Sequence, residues 1–464
     1  MYNPDIITIG WIMYKFILYL LLSFNLLFSQ TINFEDALNL TLENNNKIKS
    51  QKLNIKASKI DIENIKAISY GKIDLLHEMS RTNHPGYVFN SKLSSREASF
   101  ADFGADKYLG PNSLDVEPDN LNNPSSRNNF NTKISYDIPL FTGFKLSNQE
   151  DILKLQVKAQ NLKLNLDKKS LEYEVLSAYN AAVVAKEFIK ATKKAKEAVS
   201  FFVISANEFY KEGLVTKIDK KQAKVHELNI QSKIIEASNK FDLALAYLRF
   251  LTTNENIKDV KELKLLKNKK EELSNLYKEA LENRDDLKML KENKKGMKKS
   301  IEISNSNYLP SIYSHLEYGV NDNSITFDSD KDYYLASLGI KYTLFDNTRK
   351  YKYEKSKIAF NKTSLNLNQL KNAIKLQVEK AILNLNAKQK IFKEKKEAKE
   401  LAFEVLEQSK LMYKNQLISM TELLKQEALY RENEASLIMA KYEKSLALGQ
   451  LNLSIGKSLQ KTKR

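Results

Sequence analysis

The sequence predicts a mainly α-helical chain with a few membrane β-strands, arranged as two internal repeats. Three observations predict this fold class. Two long stretches carry apolar residues at alternating spacings of four and three, as helices of coiled coils do. Several shorter segments alternate between polar and apolar residues, as strands with two different faces do. Both kinds of segment recur in the same order in each half of the chain.

The composition favours long helices over compact domains with many turns. The 464 residues include only 12 Gly and 7 Pro, and 28% of them are charged. The net charge of +17 suggests nucleic acid or an anionic membrane as a partner. However, the lysines are interspersed with glutamates along the helices, and no zinc-finger, RNA-binding or basic-zipper pattern accompanies them. We therefore interpret the charge as solvated helical faces and expect no nucleic-acid partner.

The chain has no cysteine, which excludes disulfides, thiolate metal sites and a lipid-modified N-terminal cysteine. Residues 1–29 are predicted to be a signal peptide, with Met13 as an alternative start. Lys15 precedes an apolar run from Phe16 to Phe28, which is too short to span a bilayer comfortably, and the small Ser29 follows it. An N-terminal anchor helix is the alternative. Cleavage of the signal peptide would leave an exported protein.

The first repeat is expected to cover residues 30–252. It begins with a helix from Phe34 to about Ser69 and a strand from Gly71 to Arg81. Residues 82–128 hold most of the prolines and many asparagines, and are predicted to be a long exposed loop. The rest of the repeat is predicted as a strand at 130–141, a long helix at 145–211, a turn at 212–216 and a returning helix at 218–251.

The second repeat is expected to cover residues 271–456, after a polar connector at 253–270. Its strands are predicted at 311–320 and 333–345. Matching residues of the two repeats lie 239 positions apart before the strands and 203 apart after them. The longer first loop, 82–128, accounts for the difference. A basic tail, 457–464, ends the chain.

Strands of this length with one apolar and one polar face are typical of outer-membrane barrels. Four strands cannot close a barrel, and an unpaired strand edge in lipid is too costly to persist. Several chains must therefore pool their strands, and three copies would supply twelve. The helices leave from the same end of each strand pair, so they are expected to extend together on the periplasmic side.

Several short motifs mark the ends of the predicted elements. Tyr308–Ser311 leads into a strand, 138–141 and 342–345 end strands, and 209–215 with Asp219 forms the first hairpin tip. In their order, spacing and duplication, these motifs resemble the TolC-like outer-membrane efflux protein family over the whole mature chain.

The resemblance implies a homotrimer with a twelve-stranded barrel in outer-membrane lipid. Long antiparallel coiled-coil helices would form a periplasmic tunnel below the barrel. Its partners would be a periplasmic adaptor (membrane fusion) protein and an inner-membrane transporter, and its cargo small molecules or polypeptides. No cofactor and no enzymatic activity are expected.

The resemblance also suggests residues for a periplasmic aperture. Glu422, repeated in three copies, would form an acidic ring that attracts cations. The alternative is that Glu422 only stabilises the first turn of its helix. A polar contact between Asp219 and Tyr413 would help to hold the aperture closed. The family's second acid in the ring is replaced by Lys425, so we expect the charge of the ring to be weaker or locally neutralised. The basic residue that the family places five positions after Tyr413 is replaced by Ile418, so we expect the closed state to be held by fewer polar links.

The two hairpin tips are predicted to dock the adaptor, because they expose small or apolar residues at turns. Simple turn packing is the alternative. The docking residues are Gly213, Leu214, Val215, Thr216, Leu417, Ile418 and Ser419.

No catalytic or metal-binding pattern stands out. The four histidines are scattered without metal-ligand spacing. The competing interpretation is an exported coiled-coil scaffold protein without channel activity. It explains the helices but not the alternating strands that recur in each half.

Overall fold

A computed structural model describes residues 30–264, 266, 272–325 and 328–460. The predicted signal peptide and the last four residues of the basic tail lie outside the described residues. The elements of the first half are β1 (Gln30–Ile32), α1 (Phe34–Asn44), α2 (Asn46–Ile68), β2 (Lys72–Thr82), α3 (Pro85–Ser94), α4 (Asp119–Asn122), β3 (Arg127–Phe141), α5 (Lys145–Lys211) and α6 (Lys217–Thr252).

The second half follows the same plan, without a counterpart of α3 and α4 among its described helices. Its elements are β4 (Ile257–Val260), α7 (Leu273–Asn283), α8 (Asp285–Ser306), β5 (Ser311–Asp322), β6 (Asp332–Lys341), α9 (Thr348–Lys414) and α10 (Met420–Ser454). The chain divides into two compact units. Of the described residues, the helical unit comprises those within 30–54, 160–289 and 366–460, and the strand-bearing unit comprises those within 55–159 and 290–365.

The core of the helical unit lies along the seam of α5. Leu176, Tyr179 and Ala182 are almost completely buried, together with Leu248 of α6. On α10, a Cβ added to Gly449 would lie 2.5 Å from a methyl carbon of Leu176. The absence of a side chain at Gly449 therefore allows α10 to approach α5 closely.

The strands of the other unit form one antiparallel sheet in the order β2-β3-β5-β6. The register pairs Ile134 of β3 with Leu75 of β2 and Tyr318 of β5. These residues belong to an apolar face, whose other members are Ile73, Met79, Tyr136, Ile138, Leu316, Tyr334, Leu338 and Ile340. This sheet, with its two edges, is the four-strand contribution expected of one subunit.

The opposite face of the sheet is polar. On it, Lys133 Nζ lies 2.8 Å from Glu317 Oε2, and His315 Nδ1 lies 2.7 Å from Asp137 Oδ1. Each pair joins β3 to β5, so the charges of this face are balanced across neighbouring strands. The predicted division into an apolar and a polar side is confirmed by this register.

Four predicted segments differ from the structure. The helix predicted over 34–69 breaks at Asn45, whose backbone is extended and whose side-chain amide donates to the Leu251 carbonyl at 3.1 Å. The predicted connector contains β4, which pairs in parallel with β1 and buries Ile257 and Val260. Both differences arise from contacts between residues far apart in the sequence.

The strand predicted to reach Phe345 ends at Lys341, because Lys341 pairs with Ser311, the first residue of β5, and the residues after Lys341 have no partner in that strand. Residues 82–128, predicted as an exposed loop, contain α3, α4 and three short 3₁₀ turns. Within the described ranges, no helix is long and apolar enough to cross a membrane.

Candidate functional site

The two hairpin tips of the helical unit end their long helices in the same way. At the end of α5, Leu214 N–H donates to Phe209 O at 2.8 Å, and Gly213 N–H donates to Tyr210 O at 3.1 Å. This pair of bonds is a Schellman motif, and it places Gly213 in the left-handed region with φ +70°.

The second tip repeats the motif without a glycine. At the end of α9, Leu417 N–H donates to Met412 O at 2.8 Å, and Gln416 N–H donates to Tyr413 O at 2.9 Å. Gln416 has φ +60°, a conformation that costs energy for a residue with a Cβ. Gln416 lies 203 positions after Gly213 and takes its place in the second repeat, so the missing glycine is accommodated as local strain.

The returning helices also begin alike, but their acidic residues behave differently. Thr216 caps α6, and Asp219 Oδ2 accepts hydrogen bonds from the Thr216 backbone N–H (2.9 Å) and hydroxyl (2.7 Å). Ser419 caps α10 by accepting from Glu422 N–H at 3.2 Å. Glu422 occupies the same third position as Asp219, but its carboxylate is not tied to the cap.

The carboxylate of Glu422 has two other neighbours on its own helix. Gln426 Nε2 donates to Oε1 at 2.5 Å, and Lys425 Nζ lies 3.8 Å from Oε2. Its side chain is 43% exposed. The expectation that Lys425 would offset the charge is consistent with this distance. The first-turn position also suits the helix dipole, so both interpretations of Glu422 fit the local geometry.

Tyr413 is buried, with 6% exposure, and its ring packs 5.8 Å from that of Phe209. Among the described residues, no group hydrogen-bonds its hydroxyl. Burial raises the pKa of this phenol, and the nearby charge of Asp219 adds to the effect. Asp219 is thus close to Tyr413, but its hydrogen bonds go to Thr216. A contact between the two groups stays a prediction.

Both tips line one cavity of about 360 Å³. The predicted residues that meet there are Leu214, Val215, Thr216, Asp219, Tyr413, Leu417, Ile418 and Ser419. Gly213 and Glu422 do not line it. Leu214 and Leu417 are 52% and 68% exposed, so the tips present apolar side chains to the outside.

A second, more apolar cavity of about 490 Å³ lies next to the tips, between α5 and α9. Phe202 and Phe209 line it from α5, and Leu411 and Tyr413 from α9. The apolar surface of the tips therefore continues along the two long helices.

A polar link farther from the tips was not predicted from the sequence. His226 Nε2 of α6 lies 2.7 Å from Glu427 Oε2 of α10, and Arg431 Nε lies 3.5 Å from the other oxygen of that carboxylate. Glu427 is buried. The sequence did contain an indication of this link. Glu427 occupies the next position of the helix face that carries the buried Met420, Leu423 and Leu424, where an apolar residue is expected.

The amino-acid sequence matches one known protein family. The sequence profile described as "Outer membrane efflux protein" matches residues 37–254 and 276–457. The chain belongs to the outer membrane efflux protein family. The predicted family and the TolC-like fold class are therefore confirmed.

Solved structures of efflux-family channels share the fold at low sequence identity. The CmeC outer membrane channel of Campylobacter jejuni is 14% identical, with a TM-score of 0.73 over 91% of this chain and 85% of that one. The MtrE outer membrane channel of Neisseria gonorrhoeae, in its open state, is 14% identical, with a TM-score of 0.74 over 93% and 91%.

The outer membrane protein VceC of Vibrio cholerae is 12% identical, with a TM-score of 0.73 over 92% and 96%. No curated protein matches the sequence. The efflux protein family is one of outer-membrane channels and not of enzymes.

Proposed function

We propose that the chain is one subunit of a homotrimeric outer-membrane channel-tunnel. It exports small molecules or polypeptides with a periplasmic adaptor protein and an inner-membrane transporter. The observation that carries this proposal is the four-stranded sheet, which has one apolar face, one polar face and two free edges.

The free edges require partner strands. Among the described residues, β2 pairs only with β3, and β6 pairs only with β5. Each unpaired backbone group would cost several kcal/mol in lipid. Pairing β2 of one copy with β6 of the next removes both edges, and three copies close a twelve-stranded barrel with its polar face toward the lumen. A coiled-coil scaffold protein would not require a sheet with one apolar and one polar face.

At the periplasmic end, the freedom of the Glu422 carboxylate from the helix cap supports a role in the aperture. Three such groups around one axis attract cations to the entrance. Asp219, held in its capping box, stabilises the start of α6 instead. Rearrangement of Asp219 toward Tyr413 would supply the closing contact that the family resemblance implies.

The exposed tips support docking of the adaptor. Leu214 and Leu417 are apolar side chains at turns, and they are continuous with the apolar cavity between α5 and α9. A helical hairpin of the adaptor would cover this surface.

The test is the conductance of the detergent-purified protein in a planar bilayer, together with its mass in detergent. We expect a trimer and discrete channel openings. A water-soluble, elongated particle without channel activity would contradict the proposal and favour the scaffold.

A further inference from the structure

The segment between β2 and β3 is folded. We call residues 83–126 the mouth loop. Phe89 of α3 packs edge-on against Phe103, with ring centroids 4.9 Å apart, and Lys92 pairs with Asp102. This ion pair lowers the pKa of Asp102 to about 2, with help from the Ser99 backbone N–H. The mouth loop therefore holds a defined shape of its own.

The mouth loop is fastened to the polar face of the sheet. Ser91 Oγ of α3 donates to Asn129 Oδ1 at 3.0 Å, and Arg127 donates to Ser91 (3.1 Å), Ser95 (2.8 Å) and Glu97. Arg127 and Asn129 alternate along β3 with the same parity as Lys133 and therefore share its polar face. Burial of Ser91 and Ser95 agrees with this contact.

The mouth loop also reaches the far edge of the same sheet. Arg96 donates to the backbone carbonyls of Asp330 and Asp332 at 2.6 and 2.5 Å. Lys331 Nζ bridges Glu97 (2.6 Å) and Asp322 (2.7 Å). The loop thus crosses the ends of the strands from β2 to β6, at the strand ends opposite to those that lead into the first residues of α5 and α9.

This anchored loop leaves large apolar side chains uncovered. Phe100 is 83% exposed, Leu109 92% and Leu114 73%, and Tyr108 and Val116 are also exposed. Several large apolar side chains exposed on one loop that is otherwise fixed by ion pairs indicate a surface that another molecule covers.

We propose that the mouth loops of three copies pack against one another through these apolar side chains and constrict the outer opening of the channel. This inference rests on the proposed trimer, in which the polar face lines the lumen. Each loop then projects into the same opening, so the nearest apolar partner is the loop of a neighbouring copy. An apolar constriction of this kind gates a pore by excluding water.

The absence of cysteine from the chain allows a direct test. In the purified trimer, Leu109→Cys is treated with a short bis-maleimide, and Ile134→Cys serves as the control. Ile134 is also exposed, but it lies on the apolar face of the central strand β3, away from the lumen and from both edges. We expect covalent dimers from Leu109→Cys, since each cysteine reacts once, and none from the control.

A second measurement tests the constriction through the access of labelling reagents from outside the cell. Ser135→Cys on the polar face of β3 is labelled in whole cells with a bulky and a small maleimide. Replacing Phe100, Leu109 and Leu114 by serine should raise the bulky-reagent rate several-fold relative to the small reagent. These side chains are exposed in one chain, so serine should not prevent folding.

The outcomes separate the two proposals. A trimer that gives no Leu109→Cys cross-link and an unchanged labelling ratio would overturn the mouth-loop inference alone. Failure to form a trimer would overturn both the inference and the proposed function.

Discussion

His226 and Glu427 join the two returning helices through a contact of 2.7 Å. The carboxylate of Glu427 is buried, and Arg431 Nε lies 3.5 Å from its other oxygen. A buried charge that loses its partner is strongly destabilising, whereas an apolar pair of similar size is often tolerated. The link therefore fixes α6 against α10 more by specificity than by net stabilisation.

His226→Leu should lower the free energy of unfolding by about 3 kcal/mol, because it leaves Glu427 buried with a poorer partner. The double replacement His226→Leu with Glu427→Leu should recover most of this loss. Denaturant unfolding of the unmodified protein, the two single leucine variants and the double variant measures the difference as a double-mutant cycle. Equal losses in the single and double variants would contradict a buried, coupled pair.

Gln416→Gly should stabilise the protein by about 1 kcal/mol, because it removes a side chain from a left-handed backbone position. The matched control is Gly213→Gln, where a Cβ would meet nothing within 4 Å and only backbone strain is added. That variant should lose about the same 1 kcal/mol. Thermal unfolding measures the stability of both variants. A change of stability in the same direction in both would contradict backbone strain at Gln416.

Tyr413→Phe should leave the stability of the isolated subunit unchanged or raise it slightly, because its buried hydroxyl has no partner among the described residues. If the hydroxyl meets Asp219 when the aperture closes, the same variant combined with Asp219→Ala should increase channel opening. Single-channel recording distinguishes the two roles. An unchanged open probability would exclude Tyr413 from the closing contact.

If Glu422 forms the proposed ring, Glu422→Gln should reduce cation selectivity, because it removes the carboxylate that each copy would contribute to the aperture. Lys425→Gln should change it in the opposite direction, since Lys425 Nζ lies 3.8 Å from that carboxylate. Reversal potentials at two salt concentrations measure both, and the effects should shrink at high salt. A change of cation selectivity in the same direction in both variants would rule out the acidic ring.

Glu172 predicts a pH dependence in the helical unit. Its carboxylate accepts from the Ser458 hydroxyl at 2.8 Å and from the Leu459 N–H at 2.6 Å, and burial raises its pKa. The folded state therefore holds this proton more tightly than the unfolded state. The stability should fall as the pH rises from the ordinary glutamate range through the raised pKa.

Glu172→Gln should flatten this part of the stability–pH curve. Thermal unfolding between pH 4 and pH 8 measures it, since the ordinary glutamate pKa is about 4.3. Limited proteolysis of residues 458–460 reports whether the segment remains docked. A curve identical to that of the unmodified protein would assign the pH dependence to other groups.

The sequence specifies those features that depend on local pattern. The bounds of α5 were predictable because no glycine or proline interrupts 145–211 and Gly213 follows. The equivalence of Gln416 to Gly213 followed from the repeat. The caps by Thr216 and Ser419 obey local rules as well.

Other features depend on partners that are distant in the sequence. His226 and Glu427 are 201 residues apart, and the ion pair of Glu97 with Lys331 spans 234. No sequence periodicity identifies such pairs, although an acidic residue at an apolar seam position does indicate that it has a polar partner. The split of the first helix at Asn45 likewise depends on a carbonyl of α6.

The parallel pairing of β1 with β4 has a consequence for the order of folding. Thr31 aligns with Asp259 and Ile32 with Val260, so the first described residues pair with the segment that follows the whole first repeat. If the chain is exported from its N-terminus, as the proposed function requires, β1 must wait for α6 and β4 to arrive. Closing so long a loop is entropically costly, and periplasmic chaperones would have most to protect during this interval.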